Sequence, residues 1–256
     1  MTVAVVVSTW VGNPPAYVEI LCRSLERKRA GAAFDLFLCA NGLEYHPPAV
    51  TETMFRRVFI RENRGYNLGA WDHAWRNLPG YDRFLFLQDD CRILRHGWLA
   101  AFVRRFEETP NCGLVGEHLN RAWDKPWDEL EAAQRPEAEL QVAGRPVSRA
   151  RYYREALRRW GVPEGPTARH LTTVAQFTSR GVLGRVGGYR LADTYHEAIA
   201  AEIAFSRAVE ALGYRAVQVG RRRHAWIGHR EWRGGGLGAR LRAGASRALG
   251  PFLRLS

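Results

Sequence analysis

Short apolar runs alternate with amphipathic stretches along the first half of the chain. Residues 3–8 form a continuous run rich in β-branched side chains, which is typical of a strand buried on both faces. Residues 17–28 then place apolar side chains along one face of a helix. The same reasoning predicts strands over 34–39, 55–60, 83–87 and 113–115, and helices over 68–77 and 98–106. Strands that alternate with helices in this way indicate βαβ units, so we expect an α/β fold with a mainly parallel sheet.

The alternation breaks between residues 120 and 170, where the chain is rich in Trp, Arg, Glu and Pro. One helix is predicted there, starting after Ser148, and we interpret the segment as an insertion over the sheet edge, where loops carry substrate contacts. The regular pattern returns as a strand over 172–179, a turn at Gly187-Gly188, a helix over 199–212 and a strand over 216–219. The predicted organisation is a single domain over 1–233, with the insertion at 120–170, and a basic amphipathic tail over 234–256.

The basic charge of the chain is concentrated near its end. The 256 residues carry a net charge of +12, and residues 220–256 hold nine arginines against one acid, giving +8 of that total. Lysine occurs only at Lys28 and Lys125, so nearly every basic group is a guanidinium, which suits bidentate contacts to phosphate. A nucleic-acid or anionic-surface binding module is therefore one alternative function.

Cysteine usage and hydropathy indicate a cytoplasmic protein. The four cysteines show no C-x-x-C spacing, the first residues lack the basic start of a signal peptide, and no apolar run reaches 18 residues. Leucines and arginines alternate in the tail over 234–256, which predicts peripheral contact with the anionic inner face of the membrane. A loosely packed tail is the alternative, because Gly238, Gly244 and Gly250 weaken any helix there.

The apolar run at 84–87 ends in two adjacent carboxylates, Asp89 and Asp90. Ligands of open α/β sheets bind at the carboxyl ends of the strands. Two carboxylates at such a place repel each other unless a cation lies between them, and a divalent metal that holds a diphosphate is the usual occupant. The alternative is that both acids cap a following helix, whose first turn favours negative charge.

Four segments resemble motifs of the inverting, GT-A-type nucleotide-sugar glycosyltransferases of the large family 2. The resemblance runs from Val3 to about His229 and excludes the insertion at 120–170. They are the opening βαβ that ends in Asn41-Gly42, the stretch Asn63-Arg64-Gly65-Tyr66-Asn67, the sequence Gln88-Asp89-Asp90, and the segment from Ala201-Glu202 to Gly213-Tyr214. The resemblance implies a Rossmann-like GT-A sheet and transfer of a sugar from a nucleotide-diphosphate donor to an acceptor hydroxyl, with inversion. It also implies Mn²⁺ or Mg²⁺ as cofactor. The acceptor would be a sugar, a lipid-linked molecule or another small molecule, and the insertion at 120–170 would lie on the acceptor side of the site.

The same resemblance assigns site residues. Glu202 is expected to be the catalytic base, with Glu197 and Asp193 as alternatives, and a base of this kind must stand opposite the leaving group. The metal ligands are expected to be Asp90 and His224, with His229 five residues further on. The residues expected to contact the donor are Thr9, Asn41, Asn63, Gly65, Asn67, Asp72 and Asp89.

Two departures from the family pattern keep other functions open. Gln88 stands where the family has its first acid, and Ala201-Glu202 stands where it has a Glu-Asp pair. A degenerate, non-catalytic transferase fold is therefore a second alternative. A sugar-phosphate nucleotidyltransferase is disfavoured, because the segment after the first strand holds one glycine where that class needs a glycine-rich loop. Nucleic acid is an unlikely partner for a site built around paired carboxylates, since they repel phosphate without a metal.

Overall fold

The computed structural model describes residues 2–133, 139–142 and 144–230. Its strands are β1 (Val3–Trp10), β2 (Phe34–Asn41), β3 (Arg57–Arg61), β4 (Arg83–Gln88), β5 (Cys91–Ile93), β6 (Cys112–Gly116), β7 (Leu140–Val142), β8 (Arg145–Val147), β9 (Ala175–Ser179), β10 (Arg215–Gln218) and β11 (Ile227–His229). Its helices are α1 (Ala16–Arg27), α2 (Val50–Met54), α3 (Tyr66–Arg76), α4 (Trp98–Glu108), α5 (Trp127–Ala132), α6 (Arg149–Arg159), α7 (Arg180–Val186) and α8 (Tyr195–Ala211).

Within the described ranges, the main sheet has seven strands in the order β10-β6-β9-β4-β1-β2-β3. Strand β9 runs antiparallel to both of its neighbours, and the other pairs are parallel. The prediction of an α/β fold with a mainly parallel, Rossmann-like sheet flanked by helices, as GT-A folds have, is confirmed. Because β1, β2 and β4 are parallel neighbours, their carboxyl ends meet at one edge of the sheet. We call it the donor edge, because the sequence predicts that the nucleotide donor binds there.

Helices cover both faces of the sheet, which explains why the central strands are apolar throughout. Alternate residues of β1 point to opposite faces, so Val5 packs into one core with α1 and α4, while Val6 packs into another with α3 and α8. In the second core, Trp71 stacks on Phe86 with ring centroids 5.3 Å apart. A strand buried on both faces cannot alternate apolar and polar residues, and the run at 3–8 follows from this.

Described residues of the segment 120–170 form a third apolar cluster with residues of α8. Helix α6 begins where the sequence predicts it, and the Ser148 hydroxyl caps it by accepting a hydrogen bond from the Arg151 N–H. Leu157 and other apolar residues of α6 pack against Ile203 and neighbouring residues of α8. The role of this segment as an acceptor-side insertion stays a prediction, as does the single-domain boundary at 233. The basic tail over 234–256 lies outside the described residues.

Several elements differ from the sequence-based prediction, for local reasons. The strand predicted at 172–179 begins at Ala175, and α8 begins at Tyr195 instead of 199, since Thr194 caps it through the Glu197 N–H. Strands β5 and β11 contain three residues each, too few to show periodicity. Asp89 and Asp90 lead into β5, so they do not cap a helix.

None of the described helices combines the length and the low polarity needed to cross a membrane.

Replacing Trp71 by alanine should destabilise the fold by about 3–5 kcal/mol, because it removes a fully buried ring that also donates a hydrogen bond to the Leu87 carbonyl oxygen at 3.3 Å. Chemical denaturation measures this free energy of unfolding. The control, Tyr195→Ala, removes a side chain on a residue that is 58% exposed and should change it by about 0.5 kcal/mol or less. Equal losses in the two variants would contradict the packing described here.

Candidate active site

Asp90, His229 and Gln88 meet at the donor edge. Strand β4 ends at Gln88, and the chain then passes Asp89 and Asp90 into β5, which pairs antiparallel with β11 so that His229 lies opposite Cys91. The His229 Nε2 atom is 2.8 Å from Asp90 Oδ1 and 3.2 Å from Gln88 Oε1. The β5–β11 pairing therefore brings a residue from near the end of the chain against the strand-terminal carboxylate.

His224 was predicted as a metal ligand together with Asp90, and that role stays a prediction. The His224 ring lies against His118, with ring centroids 5.5 Å apart, and His229 takes the place beside Asp90. Burial, followed by the nearby rings of His118 and His229, lowers the pKa of His224 to about 4. Spacing along the sequence did not separate the two histidines, because the β5–β11 register decides which one reaches Asp90.

Asp89 is buried and held by groups from the end of β1 and from the loop that follows it. Its Oδ2 atom accepts hydrogen bonds from the Thr9 hydroxyl at 2.6 Å and from the Asn13 amide at 2.9 Å. Burial raises the pKa of Asp89 to about 6, the bonds from Thr9 and Asn13 oppose that shift, and Asp90 adds to it. Thr9 and Asp89 were predicted as site residues and lie together. Asn13 was missed, since an Asn before two prolines is also ordinary turn chemistry.

Asn41 is buried at the carboxyl end of β2 and ties this end to the start of α3. Its amide donates to the Tyr66 carbonyl oxygen at 2.8 Å, and its Oδ1 accepts from Arg61 at 2.5 Å. Gly65 precedes α3 with a φ of +77°, and a Cβ there would lie 2.9 Å from the Leu191 side chain. This position therefore requires glycine.

Asn63 and Asn67 lie on either side of Gly65 in the sequence. Asn63 is exposed in the loop that follows β3, whereas Asn67 lies in the first turn of α3 and its amide donates to the Thr173 carbonyl oxygen at 3.4 Å. Both were predicted to contact the donor, and that role stays a prediction for each.

Thr173 connects the donor edge with α8. Its carbonyl oxygen accepts a hydrogen bond from the Gln88 amide at 2.9 Å in addition to the one from Asn67. Its own N–H and hydroxyl both donate to Glu202 Oε2 at 2.6 Å. A continuous set of contacts therefore runs from Glu202 through Thr173 and Gln88 to His229. Sequence reasoning missed Thr173, which lies in a short irregular segment without a motif.

Glu202 lies in the third turn of α8, whereas the helix predicted over 199–212 would place it in the first turn. The helix dipole therefore does not explain its ionisation. Its second oxygen, Oε1, lies 3.1 Å from the buried ring nitrogen Nε2 of His170. Burial raises the pKa of Glu202, but the hydrogen bond and charge of His170 and the two bonds from Thr173 outweigh burial and lower it overall.

The alternative bases lie near the start of α8. Glu197 accepts hydrogen bonds from Arg159 at 2.9 Å and from the Asp193 N–H at 3.1 Å, so it closes the first turn of the helix. The Asp193 side chain is 77% exposed and lies 3.9 Å from Arg64. Both acids stay alternative predictions for the base.

The Asp72 carboxylate accepts hydrogen bonds from three groups of the protein itself. This does not support the prediction that it contacts the nucleotide. Its oxygens accept from the Trp75 indole at 2.9 Å, from Arg76 at 2.8 Å and from the Tyr189 N–H at 3.0 Å. It therefore ties α3 to the turn at Gly188. The sequence predicts which residues share a face of α3, but it does not predict that a neighbouring turn covers that face.

Glu117 is a fully buried carboxylate directly after β6 that no motif identified. It accepts three main-chain hydrogen bonds, from the N–H groups of Ala225 at 2.9 Å, Trp226 at 3.0 Å and Ile227 at 2.7 Å. Burial raises its pKa to about 7, although these three bonds act in the opposite direction. We call this arrangement the Glu117 clasp. It holds the segment that enters β11 and delivers His229.

The donors at Asp90 fit a divalent ion that shares its coordination shell with a substrate. Among the described residues, no group of three or more His, Cys, Asp and Glu side chains could hold a metal ion. The third donor here is an amide oxygen, that of Gln88. The contacts of 2.8 and 3.2 Å are direct hydrogen-bond distances, and carboxylate and amide oxygens and imidazole nitrogens are all ligands that divalent ions accept. Such ions bind few protein groups and leave positions for phosphate oxygens and water.

Comparison with known proteins gives a likeness in fold. No family model matches the sequence, and no curated protein sequence matches it. Glucosyl-3-phosphoglycerate synthase from Mycobacterium tuberculosis, in complex with Mn²⁺, UDP and glucosyl-3-phosphoglycerate, is 16% identical, with 94% of this chain and 75% of that chain covered and a TM-score of 0.47. Its complex with Mn²⁺, UDP and phosphoglyceric acid is 17% identical, with 94% and 74% covered and a TM-score of 0.48. At such values the likeness carries no statement about activity or ligands.

The Glu117 clasp predicts a specific pH dependence of stability. A carboxyl whose folded pKa is raised to about 7 binds more protons in the folded chain than in the unfolded chain. Its contribution to stability is therefore present below the ordinary pKa and is lost as the pH rises through 7. Differential scanning calorimetry of wild type and Glu117→Gln should show a wild-type advantage that is larger at pH 5 than at pH 8.

Hydrogen exchange supplies the local readout for the same variant. Since an amide in place of the Glu117 carboxylate has only one acceptor oxygen and could not accept all three bonds, the N–H groups of residues 225–227 should exchange faster in Glu117→Gln. The exposed control Glu107→Gln should leave both exchange and the pH dependence unchanged. Unchanged exchange at 225–227 in Glu117→Gln would contradict the clasp.

Proposed function

We propose that this chain is a metal-dependent glycosyltransferase, which moves a sugar from a nucleotide-diphosphate donor to an acceptor hydroxyl. The observation that carries the proposal is the meeting of Asp90, His229 and Gln88 at the donor edge, next to the buried polar groups Asp89 and Asn41. Ligands of open α/β sheets bind at such an edge. The resemblance of the sequence to GT-A-type transferases points to the same chemistry.

The donor-side residues divide into two groups. Asp90 and His229 would hold a divalent ion, Mn²⁺ or Mg²⁺, with Gln88 Oε1 as a third donor. When bound, such an ion supplies Lewis-acid neutralisation of the leaving diphosphate. Asp89, held by Thr9, would accept hydrogen bonds from the ribose or base of the nucleotide. The amide at position 88 then acts as a neutral ligand where the family uses an acid.

Glu202 is our proposed base for the acceptor hydroxyl, and inversion at the anomeric carbon is part of the same proposal. Two properties support the role of Glu202: its lowered pKa keeps it ionised, and Thr173 links it to the metal side of the site. The hydrogen bonds that hold the carboxylate also make it a weaker base. His170, which lies against Glu202 Oε1, is placed to stabilise the ionised form.

A thermal-shift panel of UDP, GDP, dTDP and CDP, each with and without Mn²⁺, tests the donor site. One of the nucleotides should raise the melting temperature by about 5 °C or more at saturation, and the shift should need the metal. Asp90→Asn and His229→Ala should each remove the metal-dependent part. The exposed control Asp82→Asn should keep it. A panel with no shift at any nucleotide, or a shift that survives in both site variants, would overturn the proposal.

Transfer from the matching nucleotide sugar tests the base. Glu202→Gln should lower kcat by about 10²-fold or more, the usual contribution of a general base, while the nucleotide shift is retained. Glu197→Gln is the matched control on the same helix and should change kcat little. Activity that survives Glu202→Gln and is lost in Glu197→Gln would move the base to Glu197. NMR of the first product formed reports the anomeric configuration, and retention would contradict inversion.

A further inference from the structure

A second concave site lies at the β10 end of the seven-stranded sheet. It is a cavity of about 690 Å³ between β10, the end of α8 and the segment that follows β6. Cavities of this size hold small molecules, typically those of about 300–1,000 Å³. Five arginines from separate parts of the chain line it: Arg105, Arg121, Arg169, Arg215 and Arg221. We call it the arginine cavity.

The acidic side chain that lines the cavity is already neutralised. Glu210 Oε2 lies 2.6 Å from Arg207, and Glu210 Oε1 lies 3.2 Å from Arg169. Within the part of the chain that the structure describes, the other four arginines of the cavity form no ion pair with a carboxylate. The cavity therefore carries an excess of positive charge that the protein does not compensate there.

One of these guanidinium groups is fixed by the main chain. Arg105 donates from Nε to the Gln218 carbonyl oxygen at 3.2 Å, which leaves its terminal nitrogens for other partners. Gln218 is itself held, since its side chain accepts from the Leu119 N–H at 3.1 Å and donates to the Gly220 carbonyl oxygen at 2.7 Å. These bonds connect the walls of the cavity on β10 and after β6. A guanidinium held in this way loses little freedom when it binds an anion.

Strand β10, which lines the arginine cavity, is three positions away from β4 in the sheet, or about 14 Å at about 4.8 Å per strand. Glu210, in the cavity, and Glu202, in the candidate active site, both belong to α8 and are eight residues apart. At a rise of 1.5 Å per residue, this places them about 12 Å apart along the helix. The glycosyltransferase proposal does not use these arginines.

We propose that the arginine cavity is a binding site for a phosphate-bearing small ligand, distinct from the donor edge. Guanidinium groups bind phosphate through paired, charge-assisted hydrogen bonds, and several of them around one concavity suit a group with two or more negative charges. Two sources supply this chemistry, a soluble phosphorylated compound and the head group of an anionic lipid.

Calorimetric titration of inorganic pyrophosphate into the full chain tests the site. EDTA keeps the donor edge free of metal, and constant ionic strength removes general screening effects. Wild type should bind pyrophosphate, and the double variant Arg121→Gln/Arg221→Gln should bind it about tenfold more weakly. The matched control, Arg23→Gln with Arg27→Gln, removes the same two charges from the exposed side of α1 and should change the affinity less than about twofold.

Three results would overturn the proposal: no binding of pyrophosphate to wild type, equal weakening in the two double variants, or loss of binding in Asp90→Asn. The last result would place the anion at the donor edge. Failure of the glycosyltransferase proposal is seen separately, in the nucleotide panel with Mn²⁺. Melting temperatures of both double variants should stay close to wild type, which shows that the fold is intact.

Pelleting with phosphatidylglycerol vesicles separates the two sources of phosphate. Vesicle binding that excess pyrophosphate removes, and that the cavity variant lacks, assigns the ligand to a lipid head group. Vesicle binding that pyrophosphate leaves unchanged, or no vesicle binding at all, assigns it to a soluble compound. Both results keep the proposal, provided that the calorimetric titration shows the cavity-specific loss.

Discussion

The architecture of the candidate active site depends on two adjacent carboxylates at the end of a buried strand. Neighbouring negative charges in a partly buried place are costly unless each has compensating partners. Asp89 receives hydrogen bonds from Thr9 and Asn13, which come from the end of the neighbouring strand and its loop. Asp90 receives His229 from a distant part of the sequence. The chain thus gives each acid a different kind of partner, and the two acids are suited to different tasks.

Most other features of the site serve to hold these partners. The short pairing of β5 with β11 fixes the register that sets His229 beside Asp90. The Glu117 clasp holds the residues immediately before β11 with three main-chain bonds. On the other side, the Thr173 carbonyl oxygen orients the Gln88 amide, so that Gln88 Oε1 faces His229. Removing any of these supports would loosen contacts that lie several residues away from the support itself.

Sequence alone was sufficient for the strands of the main sheet and for the meeting of Thr9 and Asp89 at one edge. The apolar run over 84–87 followed by Asp89 and Asp90 predicts a buried strand with carboxylates at its carboxyl end, and parallel neighbours bring Thr9 and Asn41 to the same edge. These inferences succeed because strand burial and strand direction leave a direct pattern in the sequence. The predicted start of α8 was late, since a capping threonine before a polar turn carries less signal than the apolar periodicity behind it.

The contacts between distant segments could not be predicted in this way. The sequence does not show that His229 lies beside Asp90, because this contact depends on the register of two three-residue strands. Nor does it show that the turn before Tyr189 covers Asp72. The same is true of Glu117, which looks like an ordinary acid until its three main-chain donors are seen. In each case the local sequence is compatible with several roles for the residue, and a tertiary contact decides which role it has.

The measurement that tests the central claim most directly is anomalous diffraction at the manganese edge from crystals grown with Mn²⁺ and the nucleotide that binds. The account predicts an anomalous peak at about 2.1–2.2 Å from Asp90 and His229, with diphosphate oxygens completing the shell. A bound nucleotide without such a peak, with Asp90 still in direct contact with His229, would contradict it. The donor edge would then bind its ligand without the metal that the paired carboxylates imply.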